Sequence, residues 1–186
     1  IVSNITVPLL GLVDVAVTGH MGADGDTVGA LPASYYVGAI AVGGMLFNII
    51  YWMFGFLRMG TGGETAQAWG RRDLDGVVLL LVRSLLLALV LALVLMALSP
   101  LVRDGALWYI APEAEVASLA RTYFNICIWG AVPALGLFAM NGWYIGMQNS
   151  RFPMIVAIGQ NLLNIACSIF FVYALGMRIE GVALGT

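Results

Sequence analysis

Long apolar runs separated by short polar segments dominate the chain. Four windows contain no Asp, Glu, Lys or Arg, and a fifth, Ile1 to Ala23, is interrupted only by Asp14 and His20. The charge-free windows are Tyr35 to Leu57, Ser84 to Val102, Thr122 to Ser150 and Phe152 to Met177. Each has about the 20 residues that a helix needs to cross a hydrocarbon core. The pattern predicts an all-α polytopic membrane protein with spans at about residues 1–22, 35–60, 77–102, 120–148 and 152–177, and the start of a sixth span from about 180.

The connecting segments predict an orientation. Five Arg lie in or beside the segments that follow the second and fourth spans, and three lie on the other side. Because cytoplasmic loops of membrane proteins carry an excess of Lys and Arg, the segments after spans two and four are expected in the cytoplasm. We therefore expect a multi-pass protein of the cytoplasmic membrane.

Composition agrees with this class and excludes others. Hydrophobic residues make up 61% of the 186 residues and charged ones only 10%, against about 25% charged in soluble domains. The eight cationic residues are scattered Arg, so they form no basic face for nucleic acid. The expected partner is the lipid bilayer, with no nucleic acid.

Small residues predict where helices approach each other. Ala39 and Gly43 in the second span, and Gly142 and Gly146 in the fourth, have the spacing that permits close backbone contact. The third span is almost wholly Leu, Val and Ala and is expected to face lipid. Pro133 is expected to interrupt the fourth span, as a hinge or as a static bend.

Asp14 is an acid within a predicted span. It lies eight residues before the boundary near Gly22, roughly 12 Å inside the membrane at the helical rise. Insertion of an Asp at that depth costs about 2.5 to 3.5 kcal/mol, so such residues normally face a bundle interior or a wet cavity. Gly11, Asp14 and Thr18 share one helix face, which is predicted to line a cavity.

The fifth span carries a polar face of similar depth. Gln160, Asn164 and Ser168 recur at intervals of four, with Asn161 beside them. Ser168 is predicted roughly 13 to 14 Å deep, which matches Asp14. Two polar faces at one depth predict a single site, although amides of this kind also hold membrane helices together. Burial favours the protonated form of Asp14 and a nearby cation favours the ionised form, so we expect Asp14 to alternate between these states.

Other chemistry is not expected. One His and two distant Cys offer no metal cluster, and "GTGGETAQAWG" lacks the GK[ST] spacing of a phosphate-binding loop. Asp14 and His20 are six residues apart and point to different helix faces. The sequence therefore predicts neither an enzyme nor a metal site nor an organic cofactor.

Three segments carry a family resemblance. "PLLGLVDVAVTGHMG", "VGAIAVGGMLFNIIYWMFGFLRMGTGGETAQAWGRRD" and "NLLNIACSIFFVYALGMRIEGVALGT" resemble the MATE (multidrug and toxic compound extrusion) transporters, specifically their DinF-type subfamily. The second segment is the most specific. The resemblance implies a twelve-helix carrier of two six-helix lobes, of which this chain would be most of the N-terminal lobe, without the C-terminal lobe of the same protein.

The resemblance also implies a function. It implies export of diverse, often cationic organic compounds by alternating access, driven by an ion that couples at Asp14. Asn164 matches an Asn of the family's network, and Tyr123 and Asn141 are candidates on the fourth span. Those two are 18 residues apart, about 27 Å along one helix, so both cannot contact Asp14 at once.

One departure from the family bears on the coupling ion. Many similar proteins have an Asp four residues after the Asn, where this chain has Ser168. A sodium site favours hard anionic oxygens, so we expect proton rather than sodium coupling. Two alternatives stay open: a non-transporting structural membrane subunit, and a related-fold exporter of a lipid-linked substrate.

Overall fold

The computed structural model describes residues 33–171 and 183–184, and the regular structure in these ranges is helical. A short 3₁₀ segment, Ile128–Gly130, separates the fourth and fifth helices. The helices are α1 Ala33–Met53, α2 Gly55–Gly70, α3 Leu74–Ile110, α4 Ala114–Cys127, α5 Ala131–Gly146 and α6 Arg151–Ile169. The predicted first span, with Asp14, Thr18 and His20, lies outside the described residues.

Four stretches of the described chain are long and apolar enough to cross a membrane. They are Ser34–Gly70, Leu74–Ile110, Ala114–Gly146 and Arg151–Ile169. Each contains most of one of the predicted spans two to five, so the all-α membrane class is confirmed. The second stretch, Leu74–Ile110, has 37 residues, about 55 Å at the helical rise, and so exceeds the roughly 30 Å hydrocarbon core.

The turns between helices use left-handed residues that are not glycine. Arg72 follows α2 with φ 57°, Ala111 follows α3 with φ 47°, and Gln148 follows α5 with φ 60°. After the first of these turns, Asp73 Oδ1 accepts a hydrogen bond of 2.9 Å from the Gly76 backbone N–H. This bond caps a donor at the start of α3 that has no partner within the helix.

The chain divides into two compact units, each with its own buried residues. Within the described ranges the first comprises 33–46, Leu101–Ile128, 157–171 and 183–184, and the second comprises Phe47–Pro100 and Trp129–Val156. Apolar side chains are buried in both. In the first unit they include Ala39, Leu107, Tyr123 and Phe124. In the second they form a cluster of Leu57, Ala88, Ala92, Leu135 and Ala139.

In the second unit, helices α2 and α5 pack through glycines. A Cβ atom on Gly142 would collide with the Arg58 carbonyl oxygen, and one on Gly146 would lie 2.7 Å from both the Gly62 carbonyl oxygen and Thr65 Cβ. The prediction of a close helix contact at Gly142 and Gly146 is therefore confirmed.

In the first unit, Gly43 contacts an aromatic ring. A Cβ atom there would collide with Tyr123 Cδ1 and lie 2.9 Å from Cε1. Ala39, one turn earlier on α1, is completely buried. The close contact predicted at Gly43 is confirmed, and its partner is the Tyr123 ring of α4.

Helix α3 presents most of its large side chains outward. Its small residues Ala88 and Ala92 are buried, whereas Leu86, Val90 and Leu93 are more than half exposed. This arrangement agrees with the prediction that the third span faces lipid, because small residues let helices approach and branched apolar residues are as soluble in lipid as in a core.

Two prolines lie at different positions within their helices. Pro133 lies in the first turn of α5, just after the 3₁₀ segment, where a missing N–H costs little. Pro100 lies inside α3, which continues through it. A proline there leaves the Met96 carbonyl without its helical donor, and the Ser99 hydroxyl donates to that carbonyl over 2.7 Å. Ser99 thus replaces the bond that Pro100 removes.

Candidate functional site

The polar face of α6 is where the described chain buries its candidate site residues. Asn164 and Ser168 are the buried residues of α6, with exposed fractions of 7% and 0%. Leu162 and Leu163, on other faces of the helix, are about two-thirds exposed. The helix therefore turns its polar side chains inward and its leucines outward, the reverse of a helix in a water-soluble protein.

The buried oxygens of this pair are unsatisfied. Among the residues that the structure describes, Asn164 Oδ1 and Ser168 Oγ have no hydrogen-bond partner. Leaving a buried polar group unpaired costs about 1 to 3 kcal/mol, and few native groups remain so without a reason such as an absent water or ion. An amide oxygen accepts hydrogen bonds, and a hydroxyl both donates and accepts. The pair can therefore bind a protonated acid, a water molecule or a cation.

The other two polar residues predicted on α6 differ from this pair. Gln160 is exposed, although it lies one turn before Asn164 on the same face. Asn161 is half-buried and already makes an interaction. The buried part of the face thus begins at Asn164, and the structure does not bring Gln160 into it.

The two candidates on the fourth span belong to different units. Tyr123 is 5% exposed, lies on α4 in the first unit, and contacts Gly43. Asn141 is half-buried on α5 in the second unit. The 3₁₀ segment Ile128–Gly130 lies between the two residues along the chain. Tyr123 shares the unit of Asn164 and Ser168.

The last two candidates belong to the predicted first span. Asp14 and Thr18 lie outside the described residues, so their pairing with α6 stays a prediction. Within the described ranges, no group of three His, Cys, Asp or Glu side chains is arranged to hold a metal ion. Both cysteines there, Cys127 and Cys167, are free.

Three buried polar residues, Thr61, Thr65 and Ser84, were not predicted from the sequence. Thr65 on α2 is completely buried, and within the described ranges its Oγ1 has no hydrogen-bond partner. It packs against the α5 backbone at Gly146. A sequence signal existed, because Thr61 and Thr65 recur at an interval of four beside Gly62, but a threonine among small residues is equally typical of a helix contact.

Comparisons with known proteins identify the family. The MatE family model matches residues 1–170. The chain is 37% identical over its full length to DNA damage-inducible protein F of Escherichia coli (strain K12) and covers 38% of that protein. It is 31% identical over 134 residues, 68% of its length, to multidrug and toxin extrusion protein 2 of Mus musculus and covers 23% of that protein.

A solved structure supports the fold. The chain resembles a multidrug resistance MATE family transporter of the MOP superfamily in an outward-facing conformation, with a TM-score of 0.83 and 23% identity. The likeness covers 99% of this chain and 38% of the solved one. The chain thus spans well under half of the length of the proteins it matches. Family and structural neighbours are transporters rather than enzymes, and the match of the family model to nearly the whole sequence shows that this chain belongs to the MatE family.

Proposed function

We propose that the protein is a secondary active antiporter of the cytoplasmic membrane that exports organic, often cationic compounds in exchange for protons. The observation that carries the proposal is the pair of buried, unpaired oxygens on α6, Asn164 Oδ1 and Ser168 Oγ. Membership of the MatE family supports the transport class, and the name of one relative, multidrug and toxin extrusion protein 2 of Mus musculus, supports the substrate class.

The proposed coupling group is Asp14. In its protonated form a carboxylic acid donates a hydrogen bond, and Asn164 Oδ1 is a buried acceptor without a partner. In its ionised form the carboxylate requires a cation or donors, and the Ser168 hydroxyl is one such donor. Both states of Asp14 would therefore find partners on α6, and the outgoing cation would compete with the proton for the carboxylate.

Proton rather than sodium coupling follows from the oxygen types on α6. Sodium requires several hard oxygen ligands, and the buried pair supplies one amide oxygen and one hydroxyl. In this proposal Asp14 is the one carboxylate of the site, because residue 168 is a serine and supplies no second one. A proton needs only one acid and one acceptor, which Asp14 and Asn164 provide in this proposal.

The test uses the full-length protein in proteoliposomes loaded with a fluorescent cationic dye. A proton gradient imposed at zero sodium gradient is expected to drive efflux, and a sodium gradient imposed at constant pH is not. Asp14→Asn is expected to reduce proton-driven efflux at least tenfold, whereas Asp75→Asn, which neutralises an exposed acid outside the predicted spans, is expected to leave it unchanged. Undiminished efflux by Asp14→Asn, or efflux driven by sodium alone, would contradict the mechanism.

A further inference from the structure

A groove in the second unit combines two opposite charges with an apolar wall. It has a volume of about 180 Å³ and lies between α2 and α3. Glu64 and Arg83 line it together with Thr61, which is only 7% exposed. Phe56 and Leu87, which also line it, are about half exposed. The groove is therefore open to the surroundings of the protein and amphipathic.

The two charges do not neutralise each other. The ion pairs of the described residues, for which the N···O distance is at most 4.0 Å, join Arg103 and Arg121 to Asp104 and do not include Glu64 or Arg83. Both side chains are exposed. The groove thus offers a separate carboxylate and a separate guanidinium, each free to bind a group of opposite charge.

Arg83 lies near the cytoplasmic end of the predicted third span. Arg83 directly precedes the charge-free window Ser84 to Val102, whose 19 residues span about 28 Å, close to the thickness of a hydrocarbon core. A side chain as long as that of Arg83 can extend from there to the lipid headgroups, and Leu87, one turn further along α3, is expected at the level of the acyl chains.

We propose that this groove binds a zwitterionic phospholipid with a primary ammonium group, of the phosphatidylethanolamine type. Arg83 would bind the phosphate, Glu64 would accept hydrogen bonds from the ammonium, and an acyl chain would lie along Phe56 and Leu87. The Arg83 guanidinium alone would bind any anionic lipid. The Glu64 carboxylate in the same groove repels a further negative group of the lipid and favours an ammonium group. Charge complementarity thus selects the zwitterion, and the apolar wall selects a lipid over a soluble headgroup.

The type of ammonium group is expected to determine which zwitterionic lipid the groove prefers. A primary ammonium group carries three N–H donors for the Glu64 carboxylate, whereas the quaternary ammonium group of choline carries none. The same groove is therefore expected to bind phosphatidylethanolamine more tightly than phosphatidylcholine of the same acyl chains. The proposal is independent of the transport mechanism, because none of its residues belongs to the candidate coupling site.

The experiment is native mass spectrometry of the full-length protein titrated with phosphatidylethanolamine, phosphatidylcholine and phosphatidylglycerol of matched acyl chains. Glu64→Gln is expected to weaken phosphatidylethanolamine binding about fivefold and to leave phosphatidylglycerol binding unchanged or stronger. Arg83→Gln is expected to weaken both about fivefold. Asp75→Asn and Arg71→Gln, which neutralise exposed charges of the same unit outside the groove, are the matched controls and are expected to change neither.

Several results would overturn the proposal. Equal binding of phosphatidylethanolamine by the native protein and both groove variants would do so, as would an equal loss in the control variants. Binding of free phosphoethanolamine as tightly as the lipid would show that the apolar wall does not contribute. Because all four positions are exposed, the variants are expected to keep the native melting temperature, and a lowered one in a groove variant would assign Glu64 or Arg83 a structural role instead.

Discussion

Asn164 and Ser168 lie one helical turn apart on α6, and an oxygen of each is buried without a hydrogen-bond partner in the described part of the chain. Elsewhere in the described chain, buried hydroxyls such as that of Ser84 find a backbone carbonyl of their own helix. The oxygens of Asn164 and Ser168 form no such bond within their own helix. They therefore remain available to a group that comes from another part of the molecule or from solution.

The unpaired state of Ser168 predicts that its hydroxyl does not stabilise the fold. Ser168→Ala removes a buried polar atom that has no partner, so the melting temperature of the full-length protein is expected to stay the same or to rise. Proton-driven dye efflux is expected to fall several-fold if the hydroxyl serves Asp14. A lower melting temperature would show that the hydroxyl is satisfied in the folded protein.

A carboxylate at the same position is expected to change the coupling ion. Ser168→Asp adds a hard anionic oxygen to the pair, and such oxygens are favoured by sodium. We expect efflux driven by a sodium gradient at constant pH to appear in this variant. Ser168→Asn, which adds a neutral oxygen of similar size, is the control and is expected to remain insensitive to sodium. An identical sodium response of the two variants would contradict the role of the charge.

The contact between α2 and α5 predicts different effects for two glycines of α5. Gly146→Ala places a methyl group 2.7 Å from the Gly62 carbonyl oxygen, and such overpacking costs about 1 to 3 kcal/mol. Gly136→Ala, which has nothing within 4 Å of its added methyl group, is expected to be neutral or stabilising by up to about 1 kcal/mol. Unfolding in a denaturing detergent measures both, and equal stability of the variants would refute the close contact.

Gly43 and Tyr123 are expected to behave as a coupled pair. Gly43→Ala would collide with the Tyr123 ring, whereas Gly44→Ala meets nothing within 4 Å. We expect Gly43→Ala to destabilise the protein by about 1 to 3 kcal/mol and the double variant with Tyr123→Leu to recover part of that loss. A double-mutant cycle measures the coupling energy. Additive effects would show that the ring does not contact Gly43.

Ser99 is expected to stabilise α3 more than Ser84 does. The Ser99 hydroxyl donates to the Met96 carbonyl, which has lost its helical donor to Pro100. Ser99→Ala is therefore expected to cost about 1 kcal/mol. The Ser84 hydroxyl donates to the Leu81 carbonyl, which keeps the helical N–H of Leu85, so Ser84→Ala is expected to cost less. Thermal unfolding compares the two, and a larger loss for Ser84→Ala would contradict this account.

Several features of the fold were predictable because they depend on residues close in the sequence. The charge-free windows predicted spans two to five, since a helix in lipid must satisfy its backbone internally and present apolar side chains. The spacing of Gly142 and Gly146 predicted a helix contact, because a small residue at every fourth position permits one. Family membership was equally contained in the sequence, in the segments around Asp14, Arg58 and Asn164.

The sequence by itself thus determined the helical class, the spans and the residues that can form close contacts. Only the tertiary structure decided which partner each contact has: α2 for Gly146, and the Tyr123 ring for Gly43. It also decided that Asn164 and Ser168 are buried while Gln160, on the same face, is exposed. Periodicity fixes the direction of a side chain around its own helix, but burial depends on where neighbouring helices begin and end, and that arises from packing between segments distant in the chain.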